Sequence, residues 1–425
     1  MSARAERAPK TTGRWVAALA AAAVLRLIGC AVATHWVAPE MPTQRDATIL
    51  IDEVSTTSLY QRLRPTGAPN IPMPRHLRPC CDFGYNLRLR YTFLPIPIYR
   101  ITNLKTIDEI GLHRYDSGVV TLGSQGEFMS EESNGLVFTC RGGFIDTAHV
   151  RDYADWTIYL GSKIFEQLPY GSTIDLSNEA GKRRIVLEKV DPEFLRTHDP
   201  AALTMAIAQW LAVQLSIWHE IGTWYGASSF PGFPEKASAF SPEDLYSNVL
   251  GTKIAVATAY AGGARSEILY ERSTDAWLRV AVDFLGPASK ETAILAMRSL
   301  DGVWWQSGVR LPDPSVLLRR DISIGETFTP WLVPEARASE ALSARVRREC
   351  GGWPSPVPLT IPSSFEGTPL RTLARLEMRV DPAIASHPPF DALGPFVTQD
   401  DFPVILAAVR EQNRREFGPL ADRPD

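Results

Sequence analysis

Hydrophobic and polar positions recur at helical spacing in six stretches of the chain. The first follows Asp146 or Thr147, either of which suits an N-cap, and runs to about Phe165 with Tyr153, Trp156 and Leu160 on one stripe. The second opens at Asp199-Pro200 and continues to about Tyr225. Ser241-Pro242-Glu243-Asp244 begins a third, with proline at the first helical position and an acid three residues after the serine, a capping box. Two more follow near 274–284 and 290–300, and an amphipathic helix is expected over 402–417. Alternation of period two is rarer. Leu136–Cys140 reads as a short strand ending in the turn Arg141-Gly142-Gly143, and 173–176 with 183–190 reads as a hairpin. Residues 86–99 are β-rich, but Pro95 and Pro97 restrict them to an edge. The pattern predicts an α+β fold: a predominantly helical core with small β-hairpin elements and a proline-rich C-terminal region.

Composition divides the chain further. Residues 31–79 carry scattered prolines and little period apart from Ile49–Ile51, and read as a tether. Residues 311–425 hold 16 of the 33 prolines, so regular structure there must be short and interrupted. The expected organisation is a leader over 1–29, a tether over 30–79, a main globular domain over 80–310 and the proline-rich region over 311–425. The 18 uncharged residues Ala201–Trp218 have the length of a membrane span. Gln209, Gln214, Thr204 and Ser216 dilute them, and a buried core helix is the better reading.

Charge changes the picture at the N-terminus. The chain carries 44 Lys+Arg against 48 Asp+Glu, a net −4 that argues against a nucleic-acid partner. Five basic residues and one acid fall within 1–29, so the remainder is at −8. The basic stretch leads into an apolar run, Trp15–Leu25, that suits a secretory leader and is too short to span a bilayer. Leu27-Ile28-Gly29-Cys30 then resembles a bacterial lipobox, with Gly29 as the small residue and Cys30 as the lipid acceptor. The expected partner is therefore a membrane surface, reached through lipid on Cys30 and facing the periplasm. Cleavage after Ala31-Val32-Ala33 and an uncleaved anchor are the alternatives. With Cys30 lipidated, Cys80, Cys81, Cys140 and Cys350 remain as candidate disulfide partners in an oxidising compartment. They allow three pairings: two link the 80/81 pair to Cys140 and Cys350, and one needs a strained bridge between adjacent Cys80 and Cys81. The sequence does not choose among them.

The residues that could carry chemistry centre on His219-Glu220. Glu220 is the only charged side chain from Pro200 to Pro234, on an otherwise apolar helix, and a carboxylate buried there needs a partner. Thr223 stands where a zinc-protease helix has its second histidine, so further ligands must come from elsewhere. His149 qualifies, with Asp146 and Asp152 each three residues away, and Glu243 and Asp244 open another helix. The predicted site is a single divalent metal, zinc by preference, on His149, His219 and either Glu243 or Asp152, with Glu220 as general base. A purely structural network is the competing reading, with Glu220 paired to Arg141, Arg151 or Lys253 in a non-enzymatic envelope protein. A third uses Cys140 as a hydrolytic nucleophile with His149 or His219 as base.

The stretches 140–156 (CRGGFIDTAHVRDYADW), 215–226 (LSIWHEIGTWYG) and 239–255 (AFSPEDLYSNVLGTKIA), with Cys80-Cys81-Asp82-Phe83-Gly84, resemble the bacterial family DUF4056 over roughly residues 80–310. The resemblance implies an exported or lipid-anchored envelope protein and transfers no catalytic role.

Overall fold

In the computed structural model, residues 41–52, 71–78, 82–89, 100–101, 103–117, 132–228 and 234–424 are described, within the unit Glu40–Asp425. Cys30, Cys80 and Cys81 lie outside them. Among the described residues the eight principal helices run in chain order: α1 Gln44–Asp52, α2 Thr147–Gln167, α3 Pro200–Trp224, α4 Asp244–Tyr260, α5 Glu267–Leu285, α6 Lys290–Ser299, α7 Glu340–Glu349 and α8 Phe402–Phe417. The fold is α+β, as the periodicity predicts.

Local chemistry starts these helices where expected. Asp146 caps α2 by accepting the Ala148 N–H at 2.7 Å, and Asp199 caps α3 by accepting those of Ala201 and Ala202. α5 begins seven residues before the expected start, because Ser266 accepts the Leu269 N–H and adds two turns. At α4 only half of the expected capping box forms. Asp244 reaches back to the Ser241 N–H at 2.9 Å, but the Ser241 hydroxyl donates to Glu243 instead of accepting from the helix.

Helices α2, α3 and α4 pack on one another as the centre of the molecule. α4 is buried along its whole length, and α3 from Ala202 to Trp224. α3 is long and apolar enough to cross a membrane, yet 89% of its most apolar window lies inside the protein, as a core helix requires. Gly251 of α4 lies directly against the Val150 carbonyl of α2, where a Cβ would overlap backbone. This close approach brings the first turns of α2 and α4 together.

Of the five small sheets among the described residues, two matter to the position of the site. Their strands are β1 Leu104–Lys105, β2 Leu136–Thr139, β3 Gly143–Asp146, β4 Ser172–Asp175, β5 Gly181–Leu187, β6 Ala374–Val380 and β7 Phe396–Thr398. β1 pairs parallel to β2, and β2 antiparallel to β3 with Leu136 opposite Asp146. Part of the expected turn, Gly143, is thus already strand. β7, β6, β5 and β4 form an antiparallel sheet in that order, with Leu376 of β6 opposite Ile185 of β5.

Within the segment read as a tether, Ile49–Ile51 belongs to α1, whose Ala47, Leu50 and Ile51 share a helical face and are buried towards α5 and α4. The proline-rich region supplies β6, a proline-free run in the middle of a sheet. In the basic run Lys182-Arg183-Arg184 the outer two residues are exposed, whereas Arg183 is buried, pairs with Glu179 and lies 5.3 Å over the Trp156 ring.

Cys140, just after β2, is bonded to Cys350 at the end of α7, 210 residues away. Of the three pairings, this bond excludes the two that link Cys80 or Cys81 to either of them. The Cys140 nucleophile falls with them, because a sulfur in a disulfide has no thiolate to offer.

A buried carboxylate–imidazole chamber

The N-terminal ends of α2 and α4 meet beside the end of β3. The Asp146 N–H donates to the Ser247 hydroxyl at 2.9 Å and so ties β3 to α4. One turn into α2, the His149 imidazole faces α4. Its Nδ1 lies 2.8 Å from Asn248 Oδ1, and its Nε2 stands 3.4 Å from Asp244 Oδ1. Asp244, Asn248 and Gly251 fall on one face of α4, so the residue that permits close packing and the two that touch His149 share a stripe. A donor Nδ1–H towards Asn248 leaves Nε2 as a lone pair, and this buried atom has no hydrogen-bond partner in the protein. Ligand atoms of Asp146, His149 and Asp244 all lie within 4.8 Å of one another, and all three residues are buried.

Glu220 closes the chamber from α3. Its Oε2 accepts the Phe240 N–H at 2.6 Å, while its Oε1 is buried without a partner. Of the suggested cations, Arg141 donates to the Phe284 carbonyl and Arg151 to Asn134 and the Gly111 carbonyl. Lys253 is buried, which pushes it down to about 8. None forms an ion pair with Glu220. Burial, together with the charges of Glu220, Glu243 and Asp146, drives Asp244 well above the usual carboxylate range. Burial also drives Glu243 up against the opposing Ser241 bond, with Asp146 and Glu220 adding to the rise. Asp82 is raised to about 7 by burial and then by Glu235 and Asp146. Acids are crowded here.

His219 sits beside this centre, its ring edge-on to that of His149 with centroids 6.0 Å apart. Its Nδ1 is bonded to Glu179 from the turn after β4. Burial alone would lower the imidazole, but Glu179, followed by Glu220 and Glu235, holds it up at about 9. Sequence reasoning missed Glu179, which comes from a hairpin turn 40 residues earlier.

The structure divides the sequence-nominated ligands. His149 lies at the centre, with Asp146 and Asp244 as its carboxylate neighbours. Glu243 is adjacent, its Oε2 on the Ser241 hydroxyl at 2.7 Å and its buried Oε1 unpartnered. Asp152 belongs to a different cluster, which corrects its nomination. It accepts the Arg78 backbone N–H at 3.1 Å and the Arg78 guanidinium at 2.7 Å. That guanidinium also bonds Glu132 and Asp155, with His113 3.0 Å from Asp155. Three residues on from His149, Asp152 is offset by about 60° around the helix, and it meets Arg78 of the segment at 71–78 rather than α4. Asn248 was also missed; its four-residue spacing from Asp244 is the signal that could have found it.

Fold and centre together define an α+β protein whose three central helices and one strand end converge on a buried cluster of carboxylates and imidazoles. The chain belongs to the family described as a protein of unknown function, DUF4056, whose profile matches residues 68–334. No curated protein and no solved structure matches it.

Proposed function

We propose that the protein is a metal-dependent hydrolase of the cell envelope, with one divalent cation, zinc by preference, on Asp146, His149 and Asp244. The carrying observation is the unpartnered His149 Nε2, fixed by Asn248 and flanked by two carboxylates. Two ligand atoms on a tetrahedral ion with bonds of about 2.1 Å stand about 3.4 Å apart, and the His149–Asp244 separation is 3.4 Å. The cation would supply Lewis acidity and acidify a bound water. Glu220, whose Oε1 is buried and unpartnered, would take the proton from the attacking water and give it to the leaving group as the scissile bond breaks, so that the proton is returned and Glu220 ends as it began. His219 and Glu179 hold the neighbouring wall in place.

We further propose export and lipid anchoring at Cys30. The lipobox-like sequence supports it, and so does a disulfide, which persists in oxidising compartments. Hydrolysis is tested with the chelator-stripped and zinc-reloaded full chain on ester, amide and phosphoester substrates. Glu220→Gln should lower kcat about 10²–10⁴-fold while zinc affinity holds, the range typical of losing a general base. Turnover unchanged in Glu220→Gln, or no zinc-dependent turnover on any of the three substrate classes, would remove this reading.

A further inference from the structure

We infer that the protein has a second binding site, apart from the chamber, for a compact neutral carbonyl compound: a small ketone, ester or lactone. The site lies where the disulfide joins the end of β2 to α7.

A cavity of about 190 Å³ opens there. The Cys140–Cys350 disulfide forms part of its wall, with Phe138 from β2, Val346 from α7, and Leu332, Val333 and Trp353 from the segments on either side of α7. None of its lining residues belongs to the carboxylate–imidazole chamber. An apolar cavity of about 150 Å³ takes up a benzene ring. This one is larger, so a ring with a short substituent matches it.

The polar groups at the cavity define the rest of the ligand. The Trp353 indole Nε1–H is buried and has no hydrogen-bond partner in the protein. A buried donor left unmet is costly, and an acceptor that reaches it recovers that cost. The one charged residue in the lining is the exposed Glu335. Water is a poor occupant, because a buried water makes about three hydrogen bonds and the lining side chains offer it one N–H and one carboxylate. A carboxylate ligand would meet the like charge of Glu335. An ammonium has no acceptor for the indole. A carbonyl oxygen is an acceptor that brings no donor of its own, and the remainder of a small ketone, ester or lactone is apolar enough for Phe138, Leu332, Val333 and Val346.

Acetophenone and ethylbenzene are the probes, a pair that differs by a carbonyl in place of a methylene. Each is titrated calorimetrically into the full chain under non-reducing conditions, and one site per chain is expected. Trp353→Phe keeps an aromatic ring and removes the N–H. It should lower the affinity for acetophenone relative to ethylbenzene about fivefold, the worth of one neutral hydrogen bond. Leu332→Trp adds bulk to the cavity wall and should abolish binding of both probes. No binding of acetophenone by the unmodified chain would overturn the site. An unchanged ratio in Trp353→Phe would overturn the ligand class, and full binding in a folded Leu332→Trp variant would place the probes elsewhere. If circular dichroism shows Leu332→Trp unfolded, the ratio in Trp353→Phe decides alone.

Discussion

Gly251→Ala is expected to destabilise the protein by about 3 kcal/mol, at the upper end of the overpacking range. The added methyl would overlap the Val150 carbonyl, and a backbone atom held in the first turn of a buried helix cannot swing aside as a side chain can. Helices α2 and α4 must then separate, and the 3.4 Å approach of His149 to Asp244 opens with them. Zinc affinity should therefore fall along with the midpoint of denaturant unfolding. Gly161→Ala supplies the contrast. There the new methyl meets the thioether end of Met205, a flexible side chain that can shift, so the loss should stay near 1 kcal/mol. Equal losses in the two variants would show that the α2–α4 approach does not depend on a missing side chain.

Removing the disulfide should have an effect of similar size by a different route. Cys140 and Cys350 close a loop with a sequence separation of 210 residues, and their bond ties α7 to the strand segment that leads through Gly142 and Gly143 to Asp146. Loss of a bridge over so long a loop is worth roughly 2–5 kcal/mol. The Cys140→Ser/Cys350→Ser double variant should therefore unfold at markedly lower denaturant. Zinc affinity measured well below that midpoint should hold, because backbone bonds from Cys140 to Gly286 and from Arg141 to Leu285 anchor the strand independently. An unchanged midpoint would mean that those bonds already hold the region, and lost zinc affinity would place the disulfide within the support of the chamber.

The helices were legible because their caps and stripes are local. Asp146, Asp199 and the final Phe402–Phe417 pattern each declare themselves within a few residues. Position β6 was not legible, since its neighbours β5 and β7 are assigned by pairing across nearly 200 residues on one side. The same division runs through the chamber. Glu220 stands out as a lone carboxylate on an apolar helix, His149 falls on the inward stripe of Tyr153 and Trp156, and the acids opening α4 follow a capping pattern, all of which can be read from sequence. Which carboxylate faces His149 cannot. Asp146 and Asp152 are equally spaced from it along the chain, and Arg78, on a distant segment, claims Asp152. Arg183 is the converse case: three successive basic residues suggest solvent, but Glu179 and the Trp156 ring draw the middle one inside.

X-ray absorption at the zinc edge, on the stripped full chain reloaded with one equivalent of zinc, tests the central claim most directly. One imidazole nitrogen and otherwise oxygen donors at about 2.0–2.2 Å, without sulfur, are expected, with loss of that nitrogen in His149→Ala. A spectrum with no imidazole, or one unchanged by His149→Ala, would contradict that claim.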